Sequence, residues 1–155
     1  LTNPFMEKKI KSSRSKFGLR MTPKKETAQF IEDTKAEKTA MIFAIDQAPF
    51  RKQKAYWMSF FNKETAVAFG TERYAVKYDW PVFFCRINKV KRGYYEMKFE
   101  LVTDTPTKCK EGWITQKLTR IMEDQIKESP EYWLWTHKRW KRKRPTDQEM
   151  QPDLL

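Results

Sequence analysis

Residues 80–103, WPVFFCRINKVKRGYYEMKFELVT, decide the fold that we predict for this chain. Trp80 to Asn88 is mostly apolar, as expected for a buried strand, and Lys91-Arg92-Gly93 is typical of a turn. Beyond the turn, apolar side chains alternate with charged ones: Tyr95, Met97, Phe99 and Leu101 against Glu96, Lys98 and Glu100. Such alternation is the pattern of a half-buried antiparallel strand. The stretch therefore predicts a β-hairpin with strands at about 81–88 and 94–103.

Upstream of this hairpin, the continuous apolar run at 39–45 (TAMIFAI) predicts a strand buried on both faces. Helix start signals stand at Asn3-Pro4 and Thr22-Pro23, and residues 70–79 and 112–128 also read as helices. Residues 56–61 (YWMSFF) fit either a strand or a hydrophobic flap. We predict an α/β fold, a mixed β-sheet flanked by helices. A right-handed helical crossover is expected to join the strands at 39–45 and 81–88.

Composition limits the partners without choosing among them. The net charge of +12 calls for an acidic partner, which could be nucleic acid, anionic lipid or an acidic carrier protein. Cys85 and Cys109 have no metal-type spacing and are expected to be free thiols. The sequence contains no glycine-rich phosphate loop and no zinc-ligand cluster, so no metal or cofactor is predicted. No apolar run reaches the about 18 residues of a membrane span, and no signal peptide is evident.

The C-terminal run at 129–144, SPEYWLWTHKRWKRKR, combines aromatic rings with dense positive charge. Ser129-Pro130 reads as the start of a short helix that leads into a basic tail. This mixture suits an anionic membrane surface, which we expect to be contacted by Trp140, Lys141, Arg142, Lys143 and Arg144. It also suits single-stranded nucleic acid, and a third interpretation is a helix that docks its tryptophans into the core. The nucleic-acid interpretation needs exposed rings on a sheet, whereas Phe83, Phe84, Tyr94 and Tyr95 are expected in the core.

Residues for chemistry are few. Asp46 follows the predicted strand at 39–45, where ligands bind in open α/β sheets, although it could equally cap a turn. His137 is the only histidine, so a general base within the chain would have to be His137 or a carboxylate with a shifted pKa.

Several segments together resemble one family. They are Leu1-Thr-Asn-Pro-Phe before a helix with Arg14 and Gly18, Asp46-Gln47-Ala48-Pro49 after an apolar run, Phe60-Phe61, Trp80-Pro81-Val82 with Arg86, and the closing PEYWLWTHKRWKRKRP. In this order they resemble the lipid A biosynthesis acyltransferases, the lauroyl and myristoyl transferases of the lysophospholipid acyltransferase superfamily. The resemblance implies a partial lysophospholipid acyltransferase-like fold. It also implies transfer of a fatty acyl group from an acyl carrier protein thioester to a hydroxyl of a lipid A precursor, at the cytoplasmic face of the bacterial inner membrane.

The family's catalytic dyad, HxxxxE or HxxxxD, has no counterpart in this sequence. His137 is followed by KRWK and then Arg142, so it does not match the dyad histidine. The resemblance implies that the dyad and the membrane anchor lie upstream of Leu1, and that this chain is the C-terminal half of an acyltransferase. We therefore expect no catalytic residue here and no activity of the chain alone. Losing the upstream half would expose apolar surface, which favours oligomers.

Other roles follow from the resemblance residue by residue. Arg14, Asp46, Gln47, Phe60 and Phe61 are implied to bind substrate. Phe60 and Phe61 match the family's FFG, which would hold the acyl chain, and the glycine of that motif is Asn62 here. Residues 1–145 would form the C-terminal part of the acyltransferase domain, and 146–155 a flexible polar tail. The expected partners are the carrier thioester, the lipid A precursor and an anionic membrane, with no nucleic acid. The alternative is a non-enzymatic basic module that binds single-stranded nucleic acid.

Overall fold

Helix α1 (Pro4–Ser15) begins where Asn3-Pro4 predicts it. The Asn3 side chain accepts a hydrogen bond from the Met6 amide at 3.1 Å, which caps the first turn. The computed structural model describes residues 3–49 and 55–155, and they divide into two compact units at Ile42. The first unit contains α1, a 3₁₀ turn (Lys24–Glu26) and helix α2 (Thr27–Thr34), so both predicted helices of this region are confirmed.

The second unit contains two antiparallel hairpins and two helices. Strands β1 (Tyr56–Phe60) and β2 (Lys63–Val67) form the first hairpin, and helix α3 (Gly70–Tyr78) follows it. Strands β3 (Val82–Lys91) and β4 (Tyr94–Thr103) form the second, and helix α4 (Trp113–Glu128) closes the core. Single 3₁₀ turns lie at Pro106–Lys108 and Pro130–Tyr132. The mixed α/β class is thus confirmed, and it is consistent with a partial acyltransferase-like fold.

The apolar stripe of α4 forms the centre of the core. Ile114, Leu118 and Ile121 are buried against Phe60 of β1 and the base of the β3–β4 hairpin, where Val82, Phe84 and Val102 are also buried. Full burial of such a side chain stabilises the fold by about 1.5–3 kcal/mol. The prediction of α4 from the spacing of its apolar residues is confirmed. The apolar stripe is the face of the helix that packs on the core.

A buried carboxylate joins α3 to the start of α4. Gly112 precedes α4 and has no side chain to cap it, and its φ of +90° favours glycine. Glu72 of α3 supplies the acceptor instead. It receives hydrogen bonds from the amides of Gly112 and Thr115 and, at 2.6 Å, from the Thr115 hydroxyl. A Cβ at Gly112 would lie 2.1 Å from the Tyr56 hydroxyl, so the close approach of β1 also requires glycine here.

Two predicted elements are wrong. Residues 39–45 form no strand, so the crossover to the strand at 81–88 is also absent, and the sheets are separate hairpins. The boundary between the two units falls inside this apolar run, and Ile42 is 81% exposed. After Ser129, the predicted aromatic helix is only the 3₁₀ turn Pro130–Tyr132. Its short length reflects a chain that turns back toward the core, where Trp133 and Trp140 pack.

The C-terminal segment lies along the first hairpin. Gln148 accepts a hydrogen bond from the Trp57 indole at 2.8 Å, and the Gln151 amide donates to the Trp57 carbonyl at 2.9 Å. Gln116 of α4 donates to the Pro152 carbonyl and accepts from the Leu154 amide. Residues 148–154 thus contact β1 and α4, and the flexibility expected for residues 146–155 stays a prediction. The domain boundary at residue 145 stays a prediction.

Candidate functional site

The Asp46-Gln47-Ala48-Pro49 segment meets the C-terminal run in the second unit. The Ala48 amide donates a hydrogen bond to His137 Nε2 at 3.3 Å. Asp46 is half-buried, Gln47 is exposed and Pro49 is buried. Because the Nε2 lone pair of His137 accepts this bond, His137 serves to hold the segment, which argues against its use as a general base.

Arg139 is the most unusual side chain near this junction. Its residue is 2% exposed, and Nη1 donates to the Ala66 carbonyl at 2.8 Å. Among residues 3–49 and 55–155, Nε and Nη2 have no hydrogen-bond partner. Burial lowers the pKa of Arg139 to about 10, and the negative charge of Asp46 acts in the opposite direction. The guanidinium therefore links Asp46, two residues before Ala48, electrostatically to the hairpin β1–β2.

Phe60 and Phe61 take different positions at the end of β1. Phe60 is fully buried in the core, with ring centroids 4.8 Å from Phe61 and 6.2 Å from Trp140. Phe61 and Asn62 form the turn to β2 with φ of +50° and +56°. Asparagine tolerates positive φ well, so Asn62 fills the place of the family's glycine without loss of the turn. Contact of Phe60 and Phe61 with an acyl chain stays a prediction.

Part of the basic C-terminal run folds back on the first hairpin. The Trp140 indole donates to Thr65 Oγ1 at 2.9 Å, and Arg144 pairs with Glu64 at 2.8 Å. The Arg142 guanidinium lies 5.7 Å from the Trp57 ring centroid. Lys141 and Lys143 are exposed. Membrane contact by these five residues stays a prediction, with Lys141 and Lys143 the most available of them.

Arg14 belongs to the first unit. It occupies the last turn of α1 in the first unit, where it is exposed, whereas Asp46, Gln47, Phe60 and Phe61 belong to the second unit. The substrate-binding roles predicted for these residues are not tested by their positions.

Residues 1–142 match the family described as bacterial lipid A biosynthesis acyltransferase. The match covers most of the 155-residue chain. The chain belongs to this acyltransferase family. No curated protein gives a match. Membership of the lipid A acyltransferases supports an acyltransferase role in lipid A biosynthesis, with an acyl donor and a lipid A-type acceptor.

The junction between the Asp46 segment and the C-terminal run involves contacts that sequence reasoning missed. His137 was considered as a possible general base and Arg139 only as part of a basic aromatic run, whereas their partners Ala48 and Ala66 lie 89 and 73 residues away in the sequence. A local sequence pattern cannot predict hydrogen bonds between residues so far apart in the chain. One signal was available, since the family's C-terminal signature and its Asp-Gln segment are both recognisable in the sequence.

Within residues 3–49 and 55–155, no group of His, Cys, Asp and Glu side chains could hold a metal ion. None of the helices in these described ranges combines the length and apolar character needed to cross a membrane.

Proposed function

We propose that this chain is the C-terminal part of an enzyme that moves a fatty acyl group from an acyl carrier protein thioester to a hydroxyl of a lipid A precursor. The observation that carries this proposal is the family match over residues 1–142. The donor is inferred from the family resemblance, and the charge of +12 supports it because carrier proteins of this kind are acidic partners.

The reaction needs a base that this sequence does not provide. A dyad histidine would take the proton of the acceptor hydroxyl while its oxygen attacks the thioester carbonyl. The carbon–sulfur bond then breaks, the thiolate takes up a proton, and the products are the ester and the free carrier thiol. Residue 142, five positions after His137, is arginine, so the HxxxxE or HxxxxD dyad is proposed to lie upstream and the chain alone to be inactive.

The junction of Asp46 with His137 and Arg139 has a supporting role in this proposal. His137 fixes the backbone at Ala48, and Arg139 sets the electrostatic environment of Asp46. A carboxylate held in this way can orient a substrate hydroxyl or amide by hydrogen bonding. Arg14 would bind phosphate or carbonyl oxygens through its planar set of donors.

The experiment uses a longer chain that includes the upstream sequence. If that sequence contains HxxxxE or HxxxxD, the longer protein should transfer acyl groups from a carrier thioester to a lipid A precursor. Asp46→Asn or Arg14→Ala within it should lower turnover by about tenfold or more. Asp104→Asn, at an exposed position in the loop after β4, is the matched control. Absence of the dyad upstream, or turnover by the 155-residue chain alone, would refute the proposal.

We also propose that the enzyme works at the cytoplasmic face of the bacterial inner membrane. Its acceptor is a lipid, and the positive charge of the chain suits anionic headgroups. Fractionation of cells that produce the longer protein should recover it with inner membranes, and recovery in the soluble fraction would count against this location.

One observation supports the alternative function, binding of single-stranded nucleic acid. Phe83, Tyr94 and Tyr95, which we expected in the core, are exposed on the β3–β4 hairpin, although Phe84 is buried as predicted. Exposed rings on a sheet can stack on bases. Tight binding of single-stranded nucleic acid together with no acyl transfer by the longer chain would favour this function instead.

A further inference from the structure

One face of the β3–β4 hairpin is apolar and exposed. The register places Phe83 opposite Leu101, Cys85 opposite Phe99 and Ile87 opposite Met97, so these six side chains project to the same side. Apart from half-buried Cys85, their exposed fractions range from 51% to 68%. Folded monomers rarely leave a contiguous apolar surface of this kind uncovered. We call these six residues the hairpin face.

The tip of the hairpin adds cations and rings to this surface. Residues 88–95, NKVKRGYY, contain three basic residues and two tyrosines and no acid. The Lys91 ammonium lies 4.3 Å from the Tyr94 ring centroid, and the Lys89 ammonium lies 5.5 Å from that of Tyr132. Tyr132 begins a second exposed group that also includes Leu134 and Trp135. Tyrosine and tryptophan beside Lys and Arg are the side chains found at membrane–water interfaces.

The C-terminal basic run is a poorer candidate for the same task. Trp140 donates its indole N–H to Thr65, and Arg144 is paired with Glu64. Those groups are already used inside the fold, whereas Phe99, Tyr95 and Trp135 are more than half exposed.

We propose that the hairpin face and its basic tip form the lipid-facing surface of the protein, and that they dock on a bilayer containing anionic lipids. This inference rests on the proposed function, because a lipid acceptor requires contact with a bilayer. The apolar side chains would enter the headgroup region, while Lys89, Lys91 and Arg92 contact the anionic headgroups.

Charge and chemistry favour a bilayer over a second copy of the chain and over nucleic acid. A second copy would bring two chains of charge +12 together, which opposes association. Single-stranded nucleic acid would stack its bases on rings or hydrogen-bond through their edges, whereas Ile87, Met97 and Leu101 on this face offer neither rings nor hydrogen-bonding side chains.

The two free thiols provide a test with an internal control. Cys85 lies on the hairpin face opposite Phe99, whereas Cys109 lies beyond the far end of the hairpin, with Sγ 3.8 Å from the Thr105 carbonyl. Vesicles of phosphatidylcholine mixed with phosphatidylglycerol should slow the reaction of Cys85 with a charged, water-soluble thiol reagent by about tenfold. The reaction of Cys109 should not change. Pure phosphatidylcholine vesicles should protect Cys85 much less, and added salt should weaken the protection.

Two double variants compare the contribution of the hairpin tip to vesicle binding with that of the C-terminal run. Lys91→Gln with Arg92→Gln should weaken vesicle binding by about tenfold or more, because each cation near the surface contributes about 1 kcal/mol. Phe99→Glu should weaken it further. Lys141→Gln with Lys143→Gln removes the same charge from the C-terminal run and should have a smaller effect.

Four results would overturn the proposal. They are vesicle binding without protection of Cys85, a larger effect of the Lys141 and Lys143 pair, protection that grows with protein concentration without lipid, and protection by single-stranded nucleic acid in preference to vesicles. Acyl transfer by the longer chain, with the acceptor dispersed in detergent, tests the proposed function separately because it needs no bilayer.

Discussion

At the scale of single residues, Arg139 carries a charge that the fold disfavours. Burial lowers the pKa of Arg139 from its ordinary value to about 10, because it penalises the charged form. Between the lowered and the ordinary pKa the unfolded chain holds the proton more tightly, so the contribution of Arg139 to stability rises as the pH rises through this interval. At neutral pH the full cost of burying the cation is therefore present.

Arg139→Met should consequently change the free energy of unfolding by no more than about 1 kcal/mol, since an apolar side chain avoids the desolvation cost. Urea denaturation at neutral pH measures this change. A loss of about 3 kcal/mol or more would mean that the hydrogen bond to Ala66 and the attraction of Asp46 outweigh the desolvation cost. Arg92→Met, at the exposed hairpin tip, is the control.

Glu72, in contrast to Arg139, is a buried charge that stabilises the fold. Its carboxylate accepts three hydrogen bonds at the start of α4, and these donors would be left buried without it. Glu72→Ala should lower the free energy of unfolding by about 2–3 kcal/mol, since hydrogen bonds to charged groups are the stronger ones. Glu111→Ala, at the exposed position before Gly112, should change it by less than about 0.5 kcal/mol. Equal effects of the two substitutions in thermal or urea unfolding would contradict the capping role.

At the scale of elements, the β3–β4 hairpin depends on the glycine at its turn. Gly93 has φ of +81°, which other residues rarely adopt, although a Cβ there would meet no atom within 4 Å. Gly93→Ala should destabilise the protein by about 1 kcal/mol through backbone strain alone. Gly70 at the start of α3 also has free space and lacks the positive φ, so Gly70→Ala should be neutral or stabilising. A stabilising Gly93→Ala in calorimetry would exclude the strain.

The elements show what a local pattern can predict. The period-2 alternation at 94–103 and the helical stripe at 113–128 depend on neighbouring residues, and both elements are confirmed. Which face of the hairpin is buried depends on distant partners. Tyr95, Met97, Phe99 and Leu101 were therefore wrongly expected to form the buried face of a half-buried strand. The apolar run at 39–45 carried no alternation and no identified pairing partner, and it is not a strand.

At the scale of the whole molecule, the family could be predicted from ordered motifs, whereas the site junction could not. The Asp46 segment and the C-terminal signature are recognisable separately, but the hydrogen bond between Ala48 and His137 spans 89 residues. Such contacts are set by packing of the complete unit. The exposed positions of Phe83 and Tyr94 have the same origin, because burial is a property of the assembled surface.

The C-terminal segment should contribute measurably to the stability of the second unit. Deleting residues 146–155 removes Gln148 and Gln151 from Trp57. It also removes Pro152 and Leu154, two of the hydrogen-bond partners of Gln116. We expect a loss of about 2–4 kcal/mol and a red shift of tryptophan emission as Trp57 meets water. Glu149→Ala, which keeps the segment, should leave both unchanged. An unchanged unfolding curve for the shortened chain would show that the segment is detached in solution.

The Glu72 cap also has a kinetic consequence. Because Gly112 has no side chain, the first turn of α4 is capped by Glu72, a residue 40 positions earlier. Docking of α3 and completion of α4 therefore occur in the same step of folding. If the transition state for folding contains this event, Glu72→Ala slows refolding and leaves the unfolding rate nearly unchanged. The β3–β4 hairpin, whose ends are close in sequence, can form before it. The rate-limiting step of folding would then be the closure of the loop from α3 to α4, with the second hairpin already formed inside it.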